Sequence, residues 1–150
     1  MAEVLDSLRF MHNMERFATQ IYHKQFRAFR GLEIADRLVA AANNEQEHQD
    51  ILRKRIIELK GTPSMIGFLF HIAGAVLGFC VTLFGKRFIL KTDIWIERKA
   101  VSDYGKFLRN VNFDNESVEL INRIINDEKK HIETWENAIR TLKSEQPSYG

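Results

Sequence analysis

A glutamate followed three residues later by a histidine occurs twice in this chain, at Glu45 and His48 and again at Glu128 and His131. Residues three apart lie on one face of an α-helix, so each pair directs a carboxylate and an imidazole to the same point. Apolar residues recur at helical spacing on both sides of each pair. The two pairs therefore place metal-ligating groups on the buried faces of two helices.

Two further helical segments each carry a single glutamate on an apolar face. Glu15 lies in the stripe of the first segment, residues 4–29, and Glu97 lies in the stripe of residues 88–111. An ionised carboxylate is costly to bury among apolar residues unless a cation accompanies it, and these stripes contain few lysines or arginines. The six residues match the ligand pattern of di-metal carboxylate bundles, in which two helices each give a glutamate and two give Glu-x-x-His.

This pattern predicts an all-α fold, a ferritin-like four-helix bundle with two metal ions in its core. The second predicted helix covers residues 32–60, and the fourth follows Asp114, a candidate N-cap. We expect one domain, residues 1–150, with a loose tail at about 145–150. The alternative is a metal-free bundle with buried ion pairs, which would need basic partners that the stripes do not supply.

Carboxylates and imidazoles suit iron or manganese, and two divalent ions neutralise four carboxylates. We predict two iron ions, with manganese as the alternative. We predict that Glu45 and Glu128 bridge the two metals and that Glu15 and Glu97 are terminal carboxylate ligands. His48 and His131 would each bind one metal. Each histidine also needs an acceptor for its second ring nitrogen, which the sequence does not identify.

Two tyrosines share the helix faces of the single glutamates. Tyr22 and Tyr104 follow Glu15 and Glu97 by seven residues, or two helical turns. Such side chains either hydrogen-bond the metal ligands, line a channel, or are amphipathic residues of the core. We include both tyrosines with the six ligands as candidate catalytic residues.

Residues 65–84 contain no charged side chain. A run of this length would suffice to span a membrane, but a span would separate the first two bundle helices from the last two. We therefore predict that this apolar insert, about residues 64–87, forms a helical crossover that lies on a membrane surface and admits an apolar substrate. Lys86, Arg87 and Lys91 would meet anionic head groups. The alternatives are a true span and a crossover packed wholly on protein.

Composition excludes several other classes of protein. The formal net charge of +2 gives no case for nucleic-acid binding. The single cysteine, Cys80, excludes an internal disulfide framework and a four-cysteine metal site. The N-terminal residues lack the pattern of a secretory signal. We expect a cytoplasmic protein attached peripherally to the inner face of a membrane.

Over about residues 8–142 the chain resembles the demethoxyubiquinone hydroxylase family, and all six ligand positions and both tyrosines match. The insert follows the family pattern P-x5-L-x4-G-x2-L-G and then L-x-G-K, with matches at Pro63, Leu69, Gly74, Leu77, Gly78, Leu83, Gly85 and Lys86. The chain departs from the family pattern at Met11 and Met14, in the stretch before Glu15, and at Asp103, before Tyr104.

The resemblance implies a di-iron mono-oxygenase that hydroxylates the ring of a polyprenyl quinone precursor with dioxygen. The implied partners are the lipid quinone, dioxygen, an unidentified electron donor and a membrane surface, with a second copy of the chain or an accessory lipid-binding protein as further candidates. A rubrerythrin-like or ferritin-like redox protein, which reduces peroxide or oxidises iron, is the alternative. A membrane-docked binding protein with a structural metal site is a third hypothesis. The apolar insert argues against the redox protein, which needs no quinone site.

Overall fold

The computed structural model describes residues 1–144, and over that range the regular structure is helical. The five α-helices, in chain order, are α1 (Ala2–Gln25), α2 (Glu33–Glu58), α3 (Gly67–Thr82), α4 (Lys86–Asn110) and α5 (Asn115–Ser144). The all-α class predicted from the sequence is confirmed. The tail predicted at residues 145–150 lies outside the described part of the chain.

The helix ends differ from the predicted ones by a few residues. The first helix was predicted to reach residue 29, but its last four residues form a 3-10 turn, Phe26–Phe29. Gly31, with a φ of 83°, then reverses the chain. The predicted N-cap of α5 is confirmed, because the Asp114 carboxylate accepts a 3.0 Å hydrogen bond from the Ser117 backbone N–H.

The bundle consists of two antiparallel hairpins, α1 with α2 and α4 with α5. Across the bundle, α1 faces α4 and α2 faces α5. Fully buried apolar residues form two clusters, one around Leu38 and Trp135 and the other around Leu8 and Leu52. On each of the four helices the predicted ligands fall between residues of one cluster and residues of the other. The polar site therefore forms a layer between two apolar ends.

Helix α3 lies against the outside of α1 and runs in the same direction. Two glycines allow the close approach, since a Cβ at Gly74 would lie 2.2 Å from the Phe17 carbonyl oxygen and a Cβ at Gly78 would lie 2.7 Å from Ile21 Cα. The apolar side chains that face away from α1 are half exposed or more: Phe68, Leu69, Ile72, Val76, Phe79 and Leu83. Among residues 1–144, none of the helices combines the length and the apolar character that crossing a bilayer requires.

Candidate metal centre

All six residues predicted as metal ligands converge at the middle of the bundle. They form two sets of four side chains, and within each set the ligand atoms lie within 4.8 Å of one another. The first set is Glu15, Glu45, His48 and Glu128, and the second is Glu45, Glu97, Glu128 and His131. Glu45 and Glu128, the two residues predicted to bridge, belong to both sets. Their roles as ligands remain a prediction, but their positions are those that a two-metal site requires.

The His48 ring is fully buried with its two nitrogens in different surroundings. Its Nδ1 lies 3.5 Å from Glu15, 3.4 Å from Glu45 and 3.2 Å from Glu128. Its Nε2 lies 3.4 Å from Asp127 Oδ2. Asp127 is therefore the acceptor that sequence analysis could not identify, although its place directly before Glu128 was a signal that could have found it.

His131 occupies the equivalent place on α5, with its Nδ1 3.0 Å from Glu45, 3.4 Å from Glu97 and 3.2 Å from Glu128. Its surroundings differ from those of His48. The His131 side chain is 12% exposed, whereas that of His48 is 0% exposed. The two ligand sets are therefore unequal, and the His131 side of the site is closer to the surface.

Burial and crowding of like charges determine how the site titrates without metal. Burial raises the pKa of Glu45, and the neighbouring Glu15 carboxylate adds to the effect. Burial, together with Glu128, also holds the pKa of Glu97 well above its usual range. Burial alone would lower the pKa of His48, but the nearby carboxylates of Glu128, Glu15 and Glu45 outweigh that effect and raise it. Bound protons thus offset the negative charge when no metal is present.

Several donor atoms of the site make no hydrogen bonds with one another, as expected of atoms that are placed to bind a divalent metal. Both Glu45 oxygens, His48 Nδ1 and Glu128 Oε1 are buried and have no hydrogen-bond partner. The His48 and Glu128 atoms are only 3.2 Å apart but are not aligned for a hydrogen bond. Buried polar atoms without partners are rare in folded proteins. Atoms of this kind that converge in two overlapping sets are consistent with a centre built to hold metal.

The two tyrosines bind the carboxylates of the opposite helix. The Tyr22 hydroxyl on α1 donates to Glu97 on α4, and the Tyr104 hydroxyl on α4 donates to Glu15 on α1. Burial raises the pKa of both phenols well above the usual range, so both stay protonated as donors. Of the alternatives left open by the sequence, the structure favours hydrogen bonding to the predicted ligands.

Trp135 supports this arrangement in a way that the sequence did not indicate. Its indole N–H donates a 3.2 Å hydrogen bond to the Tyr22 oxygen. The indole ring also lies beside the His131 ring, with 6.4 Å between their centroids. Its spacing of four residues from His131, which puts both side chains on one face of α5, is the signal in the sequence that could have found it.

A second buried polar pair lies one turn from Glu97. Gln25 Nε2 donates a 2.7 Å hydrogen bond to Asp93 Oδ1, and both side chains are 0% exposed. Burial raises the pKa of Asp93 to about 8, so the carboxyl is protonated at neutral pH. Asp93 was not predicted from the sequence, although it precedes Glu97 by four residues on the same face of α4.

The departures from the family pattern lie outside the cluster of predicted ligands. Met11 is a fully buried member of the apolar cluster around Leu8. Asp103 forms salt bridges with Lys99 and, at 3.1 Å, with Lys106. Neither residue belongs to the two sets of ligand atoms.

The chain is similar in sequence to proteins of a known family. The family model described as ubiquinone biosynthesis protein COQ7 matches residues 2–149. The chain is 29% identical over 148 residues to a 3-demethoxyubiquinol 3-hydroxylase from Dechloromonas aromatica, an alignment that covers 98% of this chain and 70% of that protein. It is 26% identical over 129 residues to the mitochondrial NADPH-dependent 3-demethoxyubiquinone 3-hydroxylase of Dictyostelium discoideum, covering 83% of this chain. The matched region spans 59% of the length of the Dictyostelium protein.

The fold is also that of a solved structure, a dodecameric thioferritin that is the bacterioferritin-related protein of Bacteroides fragilis. The superposition has a TM-score of 0.78 at 18% sequence identity and covers 97% of this chain and 89% of that one. This likeness confirms the predicted ferritin-like bundle. The family match over nearly the whole chain places the sequence more narrowly: it belongs to the COQ7 family of ubiquinone biosynthesis proteins.

Proposed function

We propose that this chain is a di-iron mono-oxygenase that hydroxylates the ring of a polyprenyl quinone precursor of the demethoxyubiquinone type. The observation that carries the proposal is the pair of overlapping ligand sets that share Glu45 and Glu128. The printed names of both relatives describe hydroxylation of a demethoxyubiquinone or of its quinol. We extend that reaction to this chain because it belongs to the same family.

The proposed reaction replaces one ring C–H bond by C–OH. One atom of dioxygen enters the product, and the other leaves as water, formed with two protons and two electrons from a donor. The name of the Dictyostelium relative gives NADPH as that donor, and we propose a nicotinamide reductant here as well.

Four carboxylates and two imidazoles fit two iron ions, with manganese as the alternative. When bound, the iron ions would supply the redox chemistry that activates dioxygen. The chain's own contribution is to hold the ligands in place. With metal bound, Asp127 would accept a hydrogen from His48 Nε2, which would leave the Nδ1 lone pair available as a metal ligand. Tyr22 and Tyr104 restrain one oxygen each of Glu97 and Glu15.

We propose further that the outer face of α3 docks on a membrane surface. Its exposed apolar side chains form a continuous face, and exposed Lys86, Arg87 and Lys91 follow at its end. A flotation assay with anionic vesicles tests this role. Val76→Asp should weaken vesicle binding, because Val76 is 57% exposed on that face. Ile57→Asp, on an exposed site of α2, is the matched control and should bind as the wild type does.

The hydroxylase function is tested by turnover under isotope-labelled dioxygen. The iron-loaded chain, supplied with NADPH and a short-tailed demethoxyquinone, should yield a hydroxylated ring that carries one labelled oxygen atom. Glu45→Ala should abolish the product, because Glu45 belongs to both ligand sets. Glu47→Ala is the matched control, since Glu47 is exposed on the same helix and pairs with Arg123. Consumption of peroxide without any hydroxylated ring would favour the rubrerythrin-like alternative.

A further inference from the structure

Three surface cavities follow one another along α5 and end at the metal centre. The first, of about 350 Å³, lies at the end of α3 and is lined by Phe84 and Leu142 among others. The second, of about 300 Å³, is lined by Leu142 and Arg37. The third, of about 320 Å³, is lined by Arg37, His131 and Trp135. Leu142 lines the first and second cavities and Arg37 lines the second and third, so neighbouring cavities adjoin, and the row of three is called the α5 groove below.

The α5 groove reaches the one predicted ligand that is partly exposed. The side chain of His131 is 12% exposed, whereas those of the other five ligands are 0–3% exposed. On the opposite side of the bundle, buried Tyr22, Tyr104 and Asp93 close the interior, and α3 packs over α1. The metal centre is therefore most accessible to a small molecule from the side of α5.

The chemistry of the groove changes along its length. Beside His131 the recess is lined by the small residues Ala40 and Ala41, by Arg37 and Thr134, and by Trp135, which is itself 0% exposed. Farther along, the second cavity is lined by the apolar residues Leu32, Ile34, Ala138 and Leu142 and by the polar residues Glu33, Arg37, Asn137 and Thr141. The groove thus combines a recess beside His131 with a channel of mixed apolar and polar lining that leads away from it.

The length of the groove exceeds that of a ring alone. His131 and Leu142 lie eleven residues apart on α5, about 16 Å along the helix axis. Beyond Leu142 the groove opens beside Phe84, which is 67% exposed. Phe84 directly follows the exposed apolar face of α3, so the outer end of the groove is continuous with the proposed membrane-docking surface.

We propose that the α5 groove binds the isoprenoid-tailed ring substrate, with the ring in the recess beside His131 and the tail over Leu142 toward Phe84. This inference rests on the proposed function and gives its substrate a place on the protein. Within the apolar insert, which the sequence predicts to admit the substrate, it places the entrance at the end of α3, beside Phe84.

Binding is tested separately from turnover by tryptophan fluorescence. The chain has two tryptophans, so Trp95→Phe leaves Trp135 as the reporter. In this background, the iron-loaded chain is kept under argon and titrated with a demethoxyquinone that carries a short isoprenoid tail. A quinone in the recess should quench Trp135 emission. The same ring without a tail serves as the comparison ligand.

Two substitutions separate the ring and tail parts of the groove. Ala40→Phe fills the recess from an exposed position on α2 and should weaken the binding of both ligands about tenfold or more. Leu142→Lys puts a charge in the tail channel and should weaken the tailed ligand alone by a similar factor. Val39→Phe is the matched control, because Val39 is 41% exposed on α2 and does not line the groove.

The outcomes distinguish this inference from the proposed function. Unquenched Trp135 emission, or wild-type binding by both groove variants, overturns the α5 groove even if the wild type hydroxylates quinones. If the groove variants weaken binding but the wild type forms no hydroxylated product, the α5 groove is supported as the binding site and the hydroxylase function is overturned. A wild type that neither binds nor converts the quinone overturns both.

Discussion

Asp127 on α5 lies 3.4 Å from His48 Nε2 on α2, so a carboxylate from one hairpin orients a predicted metal ligand of the other. Asp127→Asn keeps the shape of the side chain but removes the charge that favours a hydrogen on Nε2. We expect metal affinity to fall about 10–100-fold, with helix content unchanged because packing supplies most of the stability. Titration against a competing chelator measures the affinity. Asp50→Asn, on an exposed site of α2, should leave it unaltered, and equal affinity in the two variants would remove Asp127 from the site.

Because the two ligand sets overlap, substitutions of different glutamates should lower the metal content of the chain by different amounts. Glu45→Gln should weaken both metal positions, because Glu45 belongs to both sets. Glu15→Gln should weaken one position only, since Glu15 belongs to a single set. Metal analysis after anaerobic loading should give about two ions per wild-type chain, about one for Glu15→Gln, and less than one for Glu45→Gln. Equal contents in the two variants would contradict the bridging role of Glu45.

The six residues that converge at the middle of the bundle could be predicted from the sequence because their signal is local. Spacing of three residues within a helix places Glu45 with His48, and a polar residue inside an apolar stripe marks a buried position. Neither signal depends on how the helices pack against one another. The same reasoning gave the helices themselves, apart from a few terminal residues.

Residues that act across helices could not be predicted in this way. His48 and Asp127 are 79 positions apart, and the hydrogen bond from Trp135 to Tyr22 joins residues 113 positions apart. Which side chains meet across a bundle depends on the rotation of each helix, which spacing within one helix does not determine. Asp93 had a local signal, its four-residue spacing from Glu97, but the partner Gln25 lies on another helix.

The close contact between α3 and α1 predicts opposite effects for two glycine substitutions. A Cβ at Gly74 would meet the Phe17 backbone, which cannot rotate away, so Gly74→Ala should destabilise the fold by about 1–3 kcal/mol. Gly105 lies inside α4, and its nearest neighbour is the flexible end of Arg109 at 3.4 Å. Gly105→Ala should therefore stabilise the fold by about 1 kcal/mol. Thermal unfolding measures both, and a Gly74→Ala variant as stable as the wild type or more stable would refute the packing of α3 on α1.

The raised pKa of buried Asp93 should make the stability of the metal-free chain depend on pH. Burial raises its folded-state pKa from 3.8 to about 8. Between these values the native state holds a proton that the unfolded chain has released, so the native state binds more protons. The stability linked to this proton is complete below the lower pKa, declines as pH rises through this window, and is lost above the higher pKa. Asp93→Asn carries no such proton and can still accept the hydrogen bond from Gln25 Nε2.

The difference in unfolding free energy between Asp93→Asn and the wild type should therefore grow with pH. We expect it to rise in favour of the variant by about 2 kcal/mol between about pH 6 and about pH 8. Urea unfolding in the presence of a chelator measures both proteins under matched conditions. Asp103→Asn is the control on the same helix, because salt bridges to Lys99 and Lys106 lower the pKa of Asp103 despite its partial burial. Its effect should be constant over this range, and an equally constant difference for Asp93→Asn would show that the Asp93 carboxyl is not protonated in the folded chain.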